Sequence, residues 1–266
     1  MNNPYEIEGP AVISFSGGRT SGYMLRKILD VGLQPDVHVL FANTGKERAE
    51  TLYFVHECET RWGVEVHWLE YWREGDEPTT YQEMSYETAS REGQPFADVI
   101  TRRGYLPTPV TRYCTSELKM RPIRGWMRAH GYPDETWTNI VGIRADEPRR
   151  VARLRGNNSE GRWAVSLPLA DAGATEADVM AFWAAHPFDL TIPQQAGNCD
   201  LCFLKSVPKK RNIIRDRPDL AAWWIEQERR IGKPFRIDQP NFLQMLAQPD
   251  MFVDDVDSLE ECFCHD

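Results

Sequence analysis

The stretch Ile13–Leu25 reads ISFSGGRTSGYML. An apolar run, Ala11–Phe15, breaks into Ser-Gly-Gly. Apolar residues then recur at helical spacing, with Met24, Leu25, Ile28 and Leu29 on one face and Gly32 just beyond the end. A strand that turns this abruptly into a helix presents free main-chain N–H groups, and glycines let a ligand approach them closely. The hydroxyls of Ser16, Thr20 and Ser21 add donors. Such a loop, Ser16-Gly17-Gly18-Arg19-Thr20-Ser21, suits an anion. It lacks the G-x-x-x-x-G-K-[ST] pattern, so it is not a Walker loop.

Outward from this loop the chain alternates. Val37–Ala42 reads as a second strand, broken by NTGK, and Glu47–Trp62 as a second helix. Val64–Tyr71, Thr138–Arg144 and Arg162–Leu169 read as further strands. Thr175, with Asp178 three residues on, opens a helix whose apolar residues are Val179, Met180, Phe182 and Trp183. The alternation predicts an α/β fold, a mostly parallel sheet flanked by helices, with ligands at the carboxyl ends of its strands. Residues 1–186 are assigned to that domain. Residues 187–266, more helical and richer in cysteine, are assigned to a C-terminal extension.

Composition sets bounds. The 266 residues are 41% hydrophobic and 27% charged, which suits one globular domain with an appendage. No apolar run approaches bilayer length, and MNNPYEIEGP lacks a basic stretch followed by an apolar core, so a cytoplasmic protein without a membrane partner is expected. The net charge of −9 is uneven: Asp250–Asp266 holds seven acidic residues and no Lys or Arg. Arg144–Arg155 and Lys205–Arg217 are locally basic and could bind phosphates. Nucleic acid stays open as a partner, but the charge does not indicate it.

Cys58 shares helical spacing with Leu52, Val55 and Trp62 and is expected to be a buried core thiol. The others are Cys114, a C-x-x-C at Cys199 and Cys202, and Cys262 and Cys264 in the closing CFCHD. In a reducing compartment these spacings point to a metal, a cluster or a redox pair, not a disulfide framework.

Six segments, in order, resemble one family. FSGGRTS resembles the PP-loop of the adenine nucleotide alpha-hydrolase fold. FANTGKERAET, with Asn43, Thr44, Gly45, Glu50 and Thr51, resembles the D-T-G…E-T segment of the phosphoadenosine phosphosulfate (PAPS) reductase-like branch. TRYCTSELKMRP carries Cys114, Lys119 and Pro122 of its Cys…Lys-x-x-Pro segment, and GIRADEPRR carries Gly142, Arg144 and Arg149 of its G-x-R segment. LPLADAGATEADVMAFW resembles the segment that follows, and EECFCHD is similar to the E-C-G-[IL]-H tail of sulfonucleotide reductases.

The resemblance implies an adenine nucleotide partner held by Ser16–Ser21, Asn43–Gly45, Gly142 and Arg144, with Arg144 and Lys119 acting on phosphate. Two chemistries are compatible with it. ATP users attack the alpha phosphate, release pyrophosphate and exchange the activated oxygen for sulfur or nitrogen. Sulfonucleotide reductases attack the sulfur of a sulfated nucleotide with a tail cysteine, here Cys262. The whole Ser-Gly-Gly-x-x-Ser loop favours ATP as substrate, together with magnesium, although Thr20 stands where ATP users carry a metal-side Asp. Glu261, Cys262 and His265 favour the reductase, while the surrounding acids should raise the Cys262 pKa. By resemblance, Cys114, Cys199 and Cys202, with Cys262 or Cys264, are candidate ligands of a [4Fe-4S] cluster; structural zinc is the alternative. The expected function is ATP-dependent sulfur transfer to an unidentified acceptor from an unidentified sulfur or electron donor. The alternatives are APS/PAPS reduction and a non-catalytic nucleotide-binding module with zinc.

Overall fold

Residues 3–75, 80–156, 163–193 and 197–248 are described by a computed structural model. Their strands form one sheet in the order β4-β3-β2-β1-β5-β6. These are β1 (Ala11–Ser14), β2 (Val37–Asn43), β3 (Val66–Trp72), β4 (Thr80–Met84), β5 (Thr138–Ile140) and β6 (Ala164–Ser166). Neighbours are parallel except β3 and β4. The chain steps outward from β1 to β3, then returns to lay β5 and β6 on the other side of β1. The direction reverses beside β1, and ligands of open α/β sheets bind at such a point.

The helices of the sheet region are α1 (Arg19–Val31), α2 (Ala49–Trp62), α3 (Gln94–Arg103), α4 (Tyr113–Thr115), α5 (Arg121–Ala129), α6 (Pro148–Gly156), α7 (Pro168–Asp171) and α8 (Glu176–Ala185). A π-helical turn, Ser116–Met120, joins α4 to α5. Successive strand side chains point to opposite faces. Ile13, Val39, Phe41, Val66 and Trp68 therefore pack with Met24, Ile28, Leu52, Val55 and Trp183 on one face. Val12, Leu40 and Leu69 pack with Ile123, Trp126 and Met127 of α5 on the other. Cys58 is fully buried in the first cluster, and burial pushes its thiol pKa far up, as expected for a core thiol. Thr175 and Asp178 form the expected capping box of α8.

The extension adds α9 (Val207–Asp216), α10 (Ala221–Ile231) and α11 (Phe242–Ala247). Its Leu201, Phe203, Ile214, Trp224, Phe235 and Phe242 share a core with Phe96 and Ile100 of α3 and Leu118 of the π turn. Among the described residues no helix is long and apolar enough to cross a membrane.

Three strand expectations shift. The segment read as a strand through Leu169 ends at Ser166, because Pro168 sits at the first turn of α7. The strand read as Thr138–Arg144 pairs only as far as Ile140, and the rest of it turns into the loop that faces α1. The antiparallel edge strand β4 was not foreseen, since TYQEM lacks a strong apolar pattern.

Asp134, in the turn before β5, accepts hydrogen bonds from Arg124 Nε at 2.9 Å and Arg128 Nη2 at 2.6 Å. The Arg124 bond is the main cause that holds its carboxyl down at about 2. A depressed carboxylate contributes stability above its unfolded pKa of 3.8, and loses it as pH falls toward 2. Discounted for partial exposure, Asp134→Asn should cost about 1 kcal/mol at pH 7, shrinking to nothing near pH 2. Denaturant midpoints across that range check this, and a cost that does not change with pH would contradict it.

Candidate active site

In the loop after β1, Gly17 has φ +74°, a left-handed conformation that favours glycine. Gly18 is extended and precedes α1, and no side chain caps that helix. Its first-turn amides are the donors that an anion would use. Ser16 and Ser21 close the loop on itself, with their hydroxyls 2.9 Å apart and Ser21 Oγ donating to Gly18 O at 3.0 Å. The loop after β5 lies against it: a side-chain carbon on Gly142 would stand 3.2 Å from Ser21 Cα. From that second loop Arg144 Nη1 donates to Thr20 Oγ1 at 3.3 Å, across 124 residues of sequence. Arg144 is held by Asp146 at 2.9 Å, with Glu176 at 3.7 Å and Glu147 at 3.9 Å.

A cleft opens at the carboxyl ends of β1, β2 and β5, lined by Ser16, Ala42, Thr115, Lys119, Asn139 and Val141. Lys119 Nζ lies 3.8 Å from Glu47 Oε1. Ser14 Oγ donates to Asn139 Oδ1 at 2.6 Å, which ties β1 to β5 at the floor. Over residues 10–188 the chain matches the family model described as the phosphoadenosine phosphosulfate reductase domain.

The chain belongs to that PAPS reductase family, within the PP-loop adenine nucleotide alpha-hydrolase superfamily. It is 33% identical over 221 residues to the uncharacterized nin region protein ORF290 of Escherichia phage lambda, covering 81% of this chain and 73% of that protein. It is 28% identical over 230 residues to an uncharacterized protein of Methanocaldococcus jannaschii, covering 84% of this chain and 42% of that longer protein.

Three of the residues expected to meet the nucleotide have other partners in this PAPS reductase domain. Arg19 donates to both carboxylate oxygens of Asp189, at 2.8 and 2.9 Å, and to the carbonyls of Leu190 and Ile192. It clamps α1 to the segment after α8. Asn43 is fully buried and donates to Glu70 Oε1 at 2.6 Å and Ser90 O at 2.8 Å, while its own oxygen accepts from Gly45 N at 3.0 Å. Thr44 donates to Glu47 Oε2 through both its N–H, at 2.8 Å, and its hydroxyl, at 2.7 Å. Asn43–Gly45 is thus a turn whose polar groups are taken by Glu47, Glu70, Ser90 and one another, just after Ala42 on the cleft wall.

Cys114, Cys199 and Cys202 pack on the same cluster that joins the extension to α3. Burial, then the neighbouring Cys199, pushes the Cys114 thiol up to about 11, while Lys119 and Arg112 pull it down. Lys205 and Lys210 are both buried here, and Lys205 Nζ donates to Cys199 O. Burial depresses Lys210 to about 8, and Cys202 is among the groups that oppose this. Thiols packed on one cluster beside buried cations have the chemistry to hold a thiolate-ligated, anionic group. The geometry is incomplete: among the described residues no three His, Cys, Asp or Glu side chains converge as a metal site. Cys262, Cys264, Glu261 and His265 lie outside the described residues.

The residues the sequence reading missed are Glu47 and Asn198. Glu47 Oε1 sits between Lys119 and Cys199 Sγ, the latter at 3.9 Å. Asn198 Nδ2 donates to Ser16 O at 2.7 Å. Their only signals were position: one follows the N-T-G turn, the other immediately precedes the C-x-x-C.

Proposed function

We propose that this PAPS reductase-family chain is an ATP-using enzyme that adenylates an acceptor and prepares it for sulfur transfer. The observation that carries the reading is the meeting of Arg144 with Thr20 on a whole Ser16–Ser21 loop. Gly17, Gly18 and the start of α1 offer N–H groups to the beta and gamma phosphates. That leaves the alpha phosphate toward Arg144, whose guanidinium would stabilise charge as an acceptor oxygen attacks phosphorus and pyrophosphate departs. Lys119, from the π turn, lines the cleft and offers a second cation. Magnesium on the pyrophosphate is part of the reading, although Thr20 stands where ATP users carry a metal-side Asp.

A [4Fe-4S] cluster would be held by Cys114, Cys199 and Cys202; with Cys262 or Cys264 as the fourth ligand it would supply electrons, and with three ligands only, an open iron would carry sulfide to the activated acceptor. The buried lysines favour a thiolate group there; zinc on the same thiols is the alternative. In the competing reading, Cys262 attacks the sulfur of a sulfated adenine nucleotide.

One comparison separates the two. ATP supplied with magnesium should yield pyrophosphate in a reaction that Arg144→Ala slows by about 100-fold or more. Adenosine phosphosulfate or PAPS with thioredoxin should yield no sulfite. Sulfite release that disappears in Cys262→Ser, without pyrophosphate release from ATP, would reverse the assignment. Anaerobically purified protein should be brown and contain iron and sulfide; a colourless zinc protein would remove the cluster.

A further inference from the structure

We propose that Asn198 is the positioning residue through which phosphate on the Ser16–Ser21 loop sets the backbone at Cys199. The inference rests on the nucleotide reading above and adds to it a mechanical link between nucleotide and thiols.

The side chain of Asn198 bonds the start of the loop and lies beside Gly18. Nδ2 donates to Ser16 O at 2.7 Å, and Oδ1 lies 3.2 Å from where a side chain on Gly18 would begin. Its main chain belongs to a different junction. Asn198 O accepts from Arg48 N at 2.9 Å, Cys199 pairs with Glu47 in an antiparallel bridge, and Asp200 N donates to Lys46 O at 3.0 Å. Three consecutive extension residues therefore run along the loop after β2, while the first also reaches the loop after β1.

Peptide planarity makes this a lever. Ser16 C=O and Gly17 N–H belong to one rigid peptide unit. Tilting Gly17 N–H toward a phosphate oxygen must swing Ser16 O, and Ser16 O carries the hydrogen bond from Asn198. A swing there pulls on a residue bonded directly to Cys199. Linkage makes the effect reciprocal, so a change that fixes the Cys199 segment alters nucleotide affinity by the same factor.

Hydrogen exchange on the full chain, read by mass spectrometry, tests the link independently of activity and of metal content. Wild type is compared with Asn198→Ala and with the milder Asn198→Ser, each shown folded by circular dichroism. ATP, adenosine phosphosulfate and inorganic pyrophosphate are the probes, with binding measured by calorimetry. In wild type, ligand should slow exchange about fivefold or more both at the start of α1 and across residues 199–205. In the variants the α1 effect should remain, the 199–205 effect should disappear, and affinity should fall about three- to tenfold. Undiminished protection of 199–205 in the folded variants overturns the proposal. So does wild-type protein whose α1 start responds while 199–205 does not. Binding of adenosine phosphosulfate without ATP sinks the ATP reading alone, and the coupling is then read with the nucleotide that binds. No binding by any probe sinks both.

Discussion

Replacing Lys46 with methionine should destabilise the protein by about 3–5 kcal/mol. Lys46 Nζ lies 2.7 Å from Asp200 Oδ2, with side chains 7% and 5% exposed. Methionine keeps the stem's packing but strands the carboxylate of Asp200 in a buried site. Two neutral donors to Oδ1, Leu201 N at 2.5 Å and Trp224 Nε1 at 2.9 Å, are too little compensation for that charge. The pair is also a tie between the sheet domain and the extension, because Asp200 N donates to Lys46 O at 3.0 Å. Adding Asp200→Asn removes the stranded charge and keeps an acceptor for Trp224, so the double variant should recover at least half of the loss. Denaturant unfolding of the two variants measures this. A loss below about 1 kcal/mol for Lys46→Met would show that solvent reaches the pair and screens it.

Gly17→Val should abolish nucleotide binding, by more than about 100-fold, through two effects at one residue. Its φ of +74° is costly for a β-branched side chain. Its first side-chain carbon would also stand 2.7 Å from Thr51 Cγ2 and 2.9 Å from Val55 Cγ2. Relief of that clash moves the loop off α2 and turns its amides out of line. Gly18 offers the comparison. Its φ of −97° accepts any side chain, and a first carbon would meet Asn198 Oδ1 at 3.2 Å. Gly18→Ala should therefore weaken ATP binding only about tenfold with little change in melting temperature, while the larger Gly18→Val should remove it with the fold intact. Calorimetry with ATP ranks the three. Equal affinities in Gly17→Val and wild type would remove the phosphate role of the loop.

The sequence by itself determined the sheet and the place of the loop. Largely apolar runs such as Ala11–Phe15, interrupted only by Ser14, and Val37–Ala42, interrupted only by His38, read as central strands of a sheet covered on both faces, and Ser-Gly-Gly between strand and helix marks one carboxyl end. Thr175 with Asp178 is legible for the same reason: a cap is a local bond between near neighbours. The tertiary structure decided which side chains face the cleft. Arg19 stands inside the loop motif, yet its guanidinium is taken by Asp189, 170 residues away. Asn43 stands inside the N-T-G motif, yet Glu70 and Ser90 enclose its amide. Asn198 belongs to no motif, yet it bonds Ser16 across 182 residues. Periodicity and spacing report what a residue does with neighbours a few positions away. Where a polar side chain spends its hydrogen bonds depends on which distant segment the packed sheet brings within 3 Å of it, and only the closed fold sets that distance.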